Sequence, residues 1–201
     1  MQIYEVEGKD PSELIEKLLK KYNLDENQII YHTEEHKGSL FKGTTYTLKA
    51  VELSSITEFI ENYLRTLFAK LKLEVTYDFD IEANQIKVNM NSNNNAILIG
   101  RGGQTLNALQ NIVRQVIITE IDMLPVITLD VENYKNKRIE NLERLARNIA
   151  KEVIETGITA TLDNMNSYER RIVHNALASV KEVSTYSEGT EPNRHVVIEK
   201  N

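Results

Sequence analysis

Three of the eight glycines in this 201-residue chain fall within four positions, Gly100-Arg101-Gly102-Gly103. The cluster lies between two apolar pieces with helical spacing, residues 96–99 and 104–119. The second has Leu106, Leu109, Ile112, Val113, Val116 and Ile117 directed inward. A chain with this pattern must break one helix and start another within a few residues. Residues without a Cβ let backbone N–H groups come close to an anion, and the helix start behind them adds partial positive charge. Arg101 supplies a cation. The dinucleotide fingerprint does not fit, because Thr105 stands where its third Gly belongs, and no Gly-Lys-Ser/Thr completes a Walker loop. Two readings remain, a clamp for a phosphate backbone or a plain helix–helix turn.

The surroundings decide between them. Ser55-Ile-Thr-Glu58 reads as a capping box, followed by an apolar helical stripe through Ile56, Phe59, Ile60, Tyr63, Leu64, Leu67, Phe68 and Leu71. Residues 73–81 and 85–91 alternate apolar and polar, as two strands of a hairpin turning at Ala83-Asn84. Residues 126–131 form a closing strand. The predicted order over 51–132 is α-β-β-α-α-β. Before it, residues 1–50 read β-α-β-β: a strand at 3–6, a helix capped by Asp10-Pro11-Ser12-Glu13, and strands at 28–33 and 44–51. After it, residues 133–201 read as a helix at 135–155, a short strand at 158–162, a helix from the Asn166 cap to about Val180, and strands at 183–186 and 195–199.

Composition narrows the chemistry. There is no Cys, so disulfide scaffolds, thiolate metal sites and a Cys nucleophile are excluded. Formal net charge is −6, divided as −2 over 1–50, −5 over 51–132 and +1 over 133–201. Taken alone the acidic total argues against nucleic-acid binding, but a phosphate meets local charge, and the acidic charge over 51–132 predicts weak non-specific duplex binding. The N-terminus has neither the basic nor the apolar region of a signal peptide, and no apolar run could cross a bilayer. A cytoplasmic location is expected.

A second candidate site lies in residues 168–177, Tyr-Glu-Arg170-Arg-Ile-Val-His174-Asn-Ala-Leu177. Arg170 and His174 are four apart and share a helix face. With Ile172, Val173, Ala176 and Val180 taken as the apolar set, both fall on an open flank, and a helix reaching Val180 brings Lys181 onto it. Three donors on one ridge suit a phosphate backbone. The alternative is that both side chains brace the fold by bonding a neighbouring strand.

Together these features resemble the Jag/KhpB family (SpoIIIJ-associated protein). The α-β-β-α-α-β order around Gly100–Gly103 resembles a type II KH domain, whose Gly-X-X-Gly loop grips about four nucleotides. Arg170-x-x-x-His174, Ser187-Glu-Gly189, Arg194 and the Val-Val-Ile strand resemble the R-three-H domain (Arg, three residues, His), which binds single-stranded nucleic acid. Residues 1–50 are similar to the Jag N-terminal domain, although the loop His36-Lys-Gly-Ser-Leu-Phe41-Lys-Gly43 spaces its Gly, Phe and Lys differently. The resemblance implies an α+β chain of three small modules, 1–50, 51–132 and 133–201. It implies an RNA chaperone or post-transcriptional regulator in bacterial cell elongation, envelope homeostasis, cell-wall biogenesis and sporulation. The implied binding residues are Gly100, Arg101, Gly102 and Gly103 in the KH loop, and Arg170, His174 and Lys181 on the Arg/His face. The implied partners are single-stranded RNA or DNA, a small single-KH protein and, peripherally, a membrane insertase.

No enzyme, cofactor, metal or small-molecule substrate is expected. The alternatives are a protein-interaction scaffold that has lost RNA binding and, in another class, a zinc peptidase. The peptidase rests on His32-Thr-Glu-Glu35-His36, which spells H-x-x-E-H. Gln28-Ile-Ile-Tyr31 before it reads as strand, and two histidines four apart on a strand are ~13 Å apart, too far to share one ion. The basic stripe Lys137, Arg144, Arg147 and Lys151 reads as solvated helix surface.

Overall fold

The computed structural model describes residues 1–37, 43–82, 84–123 and 125–201. The Gly/Phe loop at 38–42 and Ala83 of the hairpin turn lie outside them. The described chain divides into two compact units, Met1–Glu132 and Asn133–Asn201.

The first unit opens with β1 (Tyr4–Gly8), α1 (Leu14–Tyr22), β2 (Ile29–His36) and β3 (Thr45–Glu52). The three strands pair antiparallel in the order β1-β3-β2. Asp10 accepts from the Ser12 amide at 2.9 Å, and Pro11 opens a short 3-10 turn that leads into α1. Leu14 and Leu18 of α1 close over Val6, Ile29, Leu48 and Ala50. Fully burying one such side chain is worth about 1.5–3 kcal/mol.

The same unit continues with α2 (Leu53–Lys70), β4 (Val75–Glu82), β5 (Gln85–Ser92), α3 (Asn95–Ile99), α4 (Gln104–Ile121) and β6 (Val126–Val131). The observed order is thus α-β-β-α-α-β. β4 and β5 pair antiparallel, while β5 and β6 pair parallel, the register that a crossover through α3 and α4 requires. The capping box expected at Ser55–Glu58 is not the helix start. α2 begins at Leu53, directly after β3, with Glu52 extended and making no side-chain cap. The buried stripe explains this: Leu53 continues the Ile56, Ile60, Leu64, Phe68 row one turn back, and its burial outweighs a cap worth about 1 kcal/mol.

In β4 and β5, Tyr77, Phe79 and Ile81 share a face with Met90, Val88 and Ile86. The opposite face carries Asp78, Asp80, Glu82, Asn89 and Asn91, with Lys87 reaching Asp80 at 3.6 Å and Glu82 at 3.5 Å.

The second unit contains α5 (Tyr134–Thr156), β7 (Ala160–Thr161), α6 (Ser167–Leu177), β8 (Val183–Glu188) and β9 (His195–Lys200), with sheet order β7-β9-β8. Leu142, Ala146, Ala150 and Val153 of α5 pack with Val173, Leu177, Val183, Val196 and Ile198. α6 ends at Leu177, three residues short of the expected Val180.

Candidate nucleic-acid interface

The Gly100–Gly103 segment is a tight link between α3 and α4. The Gly100 amide bonds Ala96 O at 2.9 Å and closes α3. Arg101–Gly103 form a single 3-10 turn, and α4 starts at Gln104 with no side-chain cap on its first amides. Gly100, Gly102 and Gly103 all have positive φ, at 71°, 56° and 78°. At Gly100 a Cβ would strike the Thr105 hydroxyl and lie 2.9 Å from the Thr105 amide nitrogen. Glycine is therefore required there by both conformation and space. Arg101 and Gly102 are exposed while Gly103 is buried. Among the described residues the Arg101 guanidinium has no hydrogen-bond or ion-pair partner. Ile97, half exposed one turn before the loop, adds an apolar neighbour. An exposed cation, exposed glycine backbone and an uncapped helix start lie within a few residues, an arrangement able to receive a phosphate.

The Arg/His pair is placed differently from the expectation. Arg170 is buried, its side chain 8% exposed. Its Nη1 donates to Met165 O at 2.7 Å and to the Glu191 carboxylate at 2.9 Å. The buried stripe of α6 is Glu169, Arg170, Val173 and Leu177. Leu177, four after Val173, sets that phase, and Arg170 stands three before Val173 on the same stripe. An apolar set centred on Ile172 and Ala176 rotates the helix too far and turns Arg170 outward. His174 is half-buried, and both ring nitrogens are engaged, Nδ1 with Thr185 Oγ1 at 2.7 Å and Nε2 with Ser187 Oγ at 3.0 Å. Thr185 and Ser187 lie on β8, so His174 ties α6 to the neighbouring strand. Lys181 is exposed in the turn between α6 and β8. It lies beyond the helix, so helical phase does not group it with Arg170 and His174.

Burial, and then the nearby Arg170 charge, hold the His174 imidazole below its usual pKa. The folded state thus prefers neutral histidine. Its contribution to stability is complete above the unfolded value of about 6.5 and is lost as pH falls below that. Thermal unfolding at pH 7.5 and pH 5 should show an acid-side loss for the wild type that is smaller for His174→Gln. A neutral, doubly bonded ring also means that RNA affinity should not rise through pH 6.5 on its account.

The H-x-x-E-H run lies in β2, an extended strand. His32, Glu34 and His36 alternate onto one face, where Glu34 meets His32 Nε2 at 3.0 Å, His36 Nε2 at 3.8 Å and Lys49 Nζ at 2.7 Å. Lys49 and His32 hold the Glu34 carboxyl below its usual pKa. Glu35, the glutamate of the motif, is on the other face, so the run is a strand-surface ion network.

Residues 57–120 match the KH domain of KhpA and KhpB, and residues 140–200 match the R-three-H domain. RNA-binding protein KhpB of Clostridium symbiosum is 34% identical over 205 residues, covering 98% of this chain and 91% of that protein. The chain belongs to the KhpB family. RNA-binding protein KhpB of Bacillus subtilis (strain 168) is 30% identical over 197 residues, 95% of each chain. That of Lactiplantibacillus plantarum is 37% identical over 138 residues, 68% of this chain and 42% of the longer relative. Among the described residues no helix is long and apolar enough to cross a membrane.

In this KhpB-family chain the KH match contains the whole Gly100–Gly103 link, and the R-three-H match contains Arg170 and His174. Sequence reasoning passed over Arg171 and used Arg194 only as a family mark. Both are exposed, and neither guanidinium has a partner among the described residues. The signal that distinguishes Arg171 from Arg170 was the Val173–Leu177 spacing.

Proposed function

We propose that this protein binds single-stranded RNA and acts as an RNA chaperone or post-transcriptional regulator without catalysing a reaction. The observation that carries the reading is the Gly100–Gly103 link: three positive-φ glycines and an arginine without a partner among the described residues, at a helix start with no side-chain cap. KH loops use this combination to hold a few nucleotides by the backbone. Family relatives named as RNA-binding proteins support it. The working modules are 1–50, 51–132 and 133–201. Two single-strand modules carried on one chain gain from effective concentration, so weak sites can sum to useful affinity. Gly100, Arg101, Gly102 and Gly103 contact the backbone in the KH module. On the C-terminal module the strand passes over the surface around Arg170, His174 and Lys181, of which Arg170 is buried and His174 half-buried. A cytoplasmic location and a small single-KH partner are in keeping with this reading.

The acidic outer face of β4 and β5 repels phosphate, so single strands should be preferred to duplexes. Titration of the full chain with an oligouridine RNA and with a duplex RNA of equal length tests the function. Binding of the single strand alone, weakening with salt, is expected. No binding of either, with retained capture of a protein partner, would favour the scaffold reading.

A further inference from the structure

We propose that the C-terminal unit holds single-stranded RNA on the exposed side of two paired loops, 162–166 and 189–195, together with the first turns of α6. Arg171 and Arg194 contact phosphates there and Tyr168 stacks on a base, while buried Arg170 positions the surface from beneath. The proposal rests on the RNA-binding reading and relocates the contact within this unit.

The two loops lie side by side. Leu162 N donates to Val196 O at 2.9 Å, Met165 N donates to Arg194 O at 3.1 Å, and the side-chain Asn164 Nδ2 donates to Asn193 Oδ1 at 3.2 Å. Arg170 fastens them from below, since one nitrogen holds Met165 O of the first loop and Glu191 of the second. A guanidinium spent in this way has no free hydrogen-bonding edge for a phosphate on its Nη1 side and is almost out of solvent reach.

The arginines of this unit divide by partner. Arg138 is paired with Glu169, Arg147 with Glu143 and Arg170 with Glu191, while Arg144 bonds Asn141. Arg171 and Arg194 are without partners among the described residues. One adjoins Arg170 in sequence, and the other is bonded through its carbonyl to Met165, whose own carbonyl Arg170 holds. Tyr168 is 61% exposed and stands three residues before Arg171, on the same helix face. A bare aromatic ring one helical turn from a cation without a partner among the described residues is a combination that binds single strands with little regard to sequence. A duplex would offer the ring no open base.

The test uses the full chain and an oligouridine RNA across a salt series. Arg171→Gln and Arg194→Gln should each flatten the slope of log affinity against log salt by about 0.7, with unchanged thermal midpoints. Tyr168→Ala should weaken binding about tenfold at an unchanged slope. Glu191→Ala separates positioning from contact. It deletes a negative charge and frees Arg170, so simple electrostatics would tighten binding; loss of the clamp should weaken it several-fold. Tighter binding by Glu191→Ala would overturn the positioning role of Arg170. Unchanged affinity and slope in the Arg171 and Arg194 variants would overturn the site, and the RNA reading would still stand if replacing Arg101 and Gly102 by Asp abolished binding. Absence of binding by the wild type would remove the RNA reading itself.

Discussion

Replacing Arg101 and Gly102 together by Asp should reduce affinity for single-stranded RNA by roughly a hundredfold or more while the protein stays folded. Two effects add. The Arg101 cation is lost, and two carboxylates appear where a phosphate would sit. At about 4 Å, like charges repel by about 1 kcal/mol in bulk water and by about 4 kcal/mol near a protein surface; a net cost of about 3 kcal/mol corresponds to the stated factor. Folding should survive, because both residues are exposed. Gly102 has φ 56°, a left-handed conformation that Asp adopts more readily than most residues. Gly100 is the wrong place for the same experiment, since any side chain there meets Thr105, and lost binding could not be separated from local unfolding. Equal affinities of wild type and double variant, at equal thermal midpoints, would remove the KH loop from the binding surface.

The largest stability effect is expected at Glu169. Its carboxylate is 9% exposed, accepts from Arg138 Nε at 2.8 Å and accepts from the Asn166 amide at 3.2 Å. Asn166 in turn accepts from the Tyr168 and Glu169 amides, both at 3.0 Å, completing a capping box at the start of α6. Glu169→Ala removes one half of the cap and leaves Arg138 partly buried without its counter-ion. Breaking a fully buried pair costs about 3–5 kcal/mol. Arg138 is one-third exposed, so about 2–3 kcal/mol is the appropriate figure for pair and cap together. For a unit of this size that lowers the midpoint by about 10 °C or more. Glu169→Gln keeps one acceptor oxygen where the carboxylate has two, one for Arg138 and one for the Asn166 amide, so it should cost less than Glu169→Ala but not be neutral. Calorimetry or circular dichroism on the two variants checks the order. A Glu169→Ala midpoint within a degree or two of wild type would show that the cluster does not hold the α6 start.

Much of the architecture was legible because the buried stripes have clean periods. Leu106, Leu109, Val113 and Ile117 repeat at helical spacing, and Ile86, Val88 and Met90 alternate as a strand must, so α4 and β5 were placed to within two residues. The α3–α4 link was legible because three glycines in four positions admit few backbones. What escaped lay where polar side chains are buried. Arg170 carries a charge, and charge alone suggests the outside; its burial depends on Met165 O and Glu191, which come from loops 5 and 21 residues away in sequence. Helical phase would have revealed it, had Leu177 been counted with Val173. The start of α2 escaped for a related reason, because burial of Leu53 overrode a good capping sequence. Lys181 was assigned to a helix that had already ended at Leu177.

Where RNA touches the chain decides whether these two surfaces bind it. Ultraviolet cross-linking of the full-length protein to an oligouridine RNA, followed by peptide mapping, reads this directly. Cross-links should fall on the peptide containing Gly100–Gly103 and on those containing Tyr168 and Arg194, with none on the acidic strands β4 and β5. Cross-links confined to other segments, with both of these surfaces untouched, would contradict it.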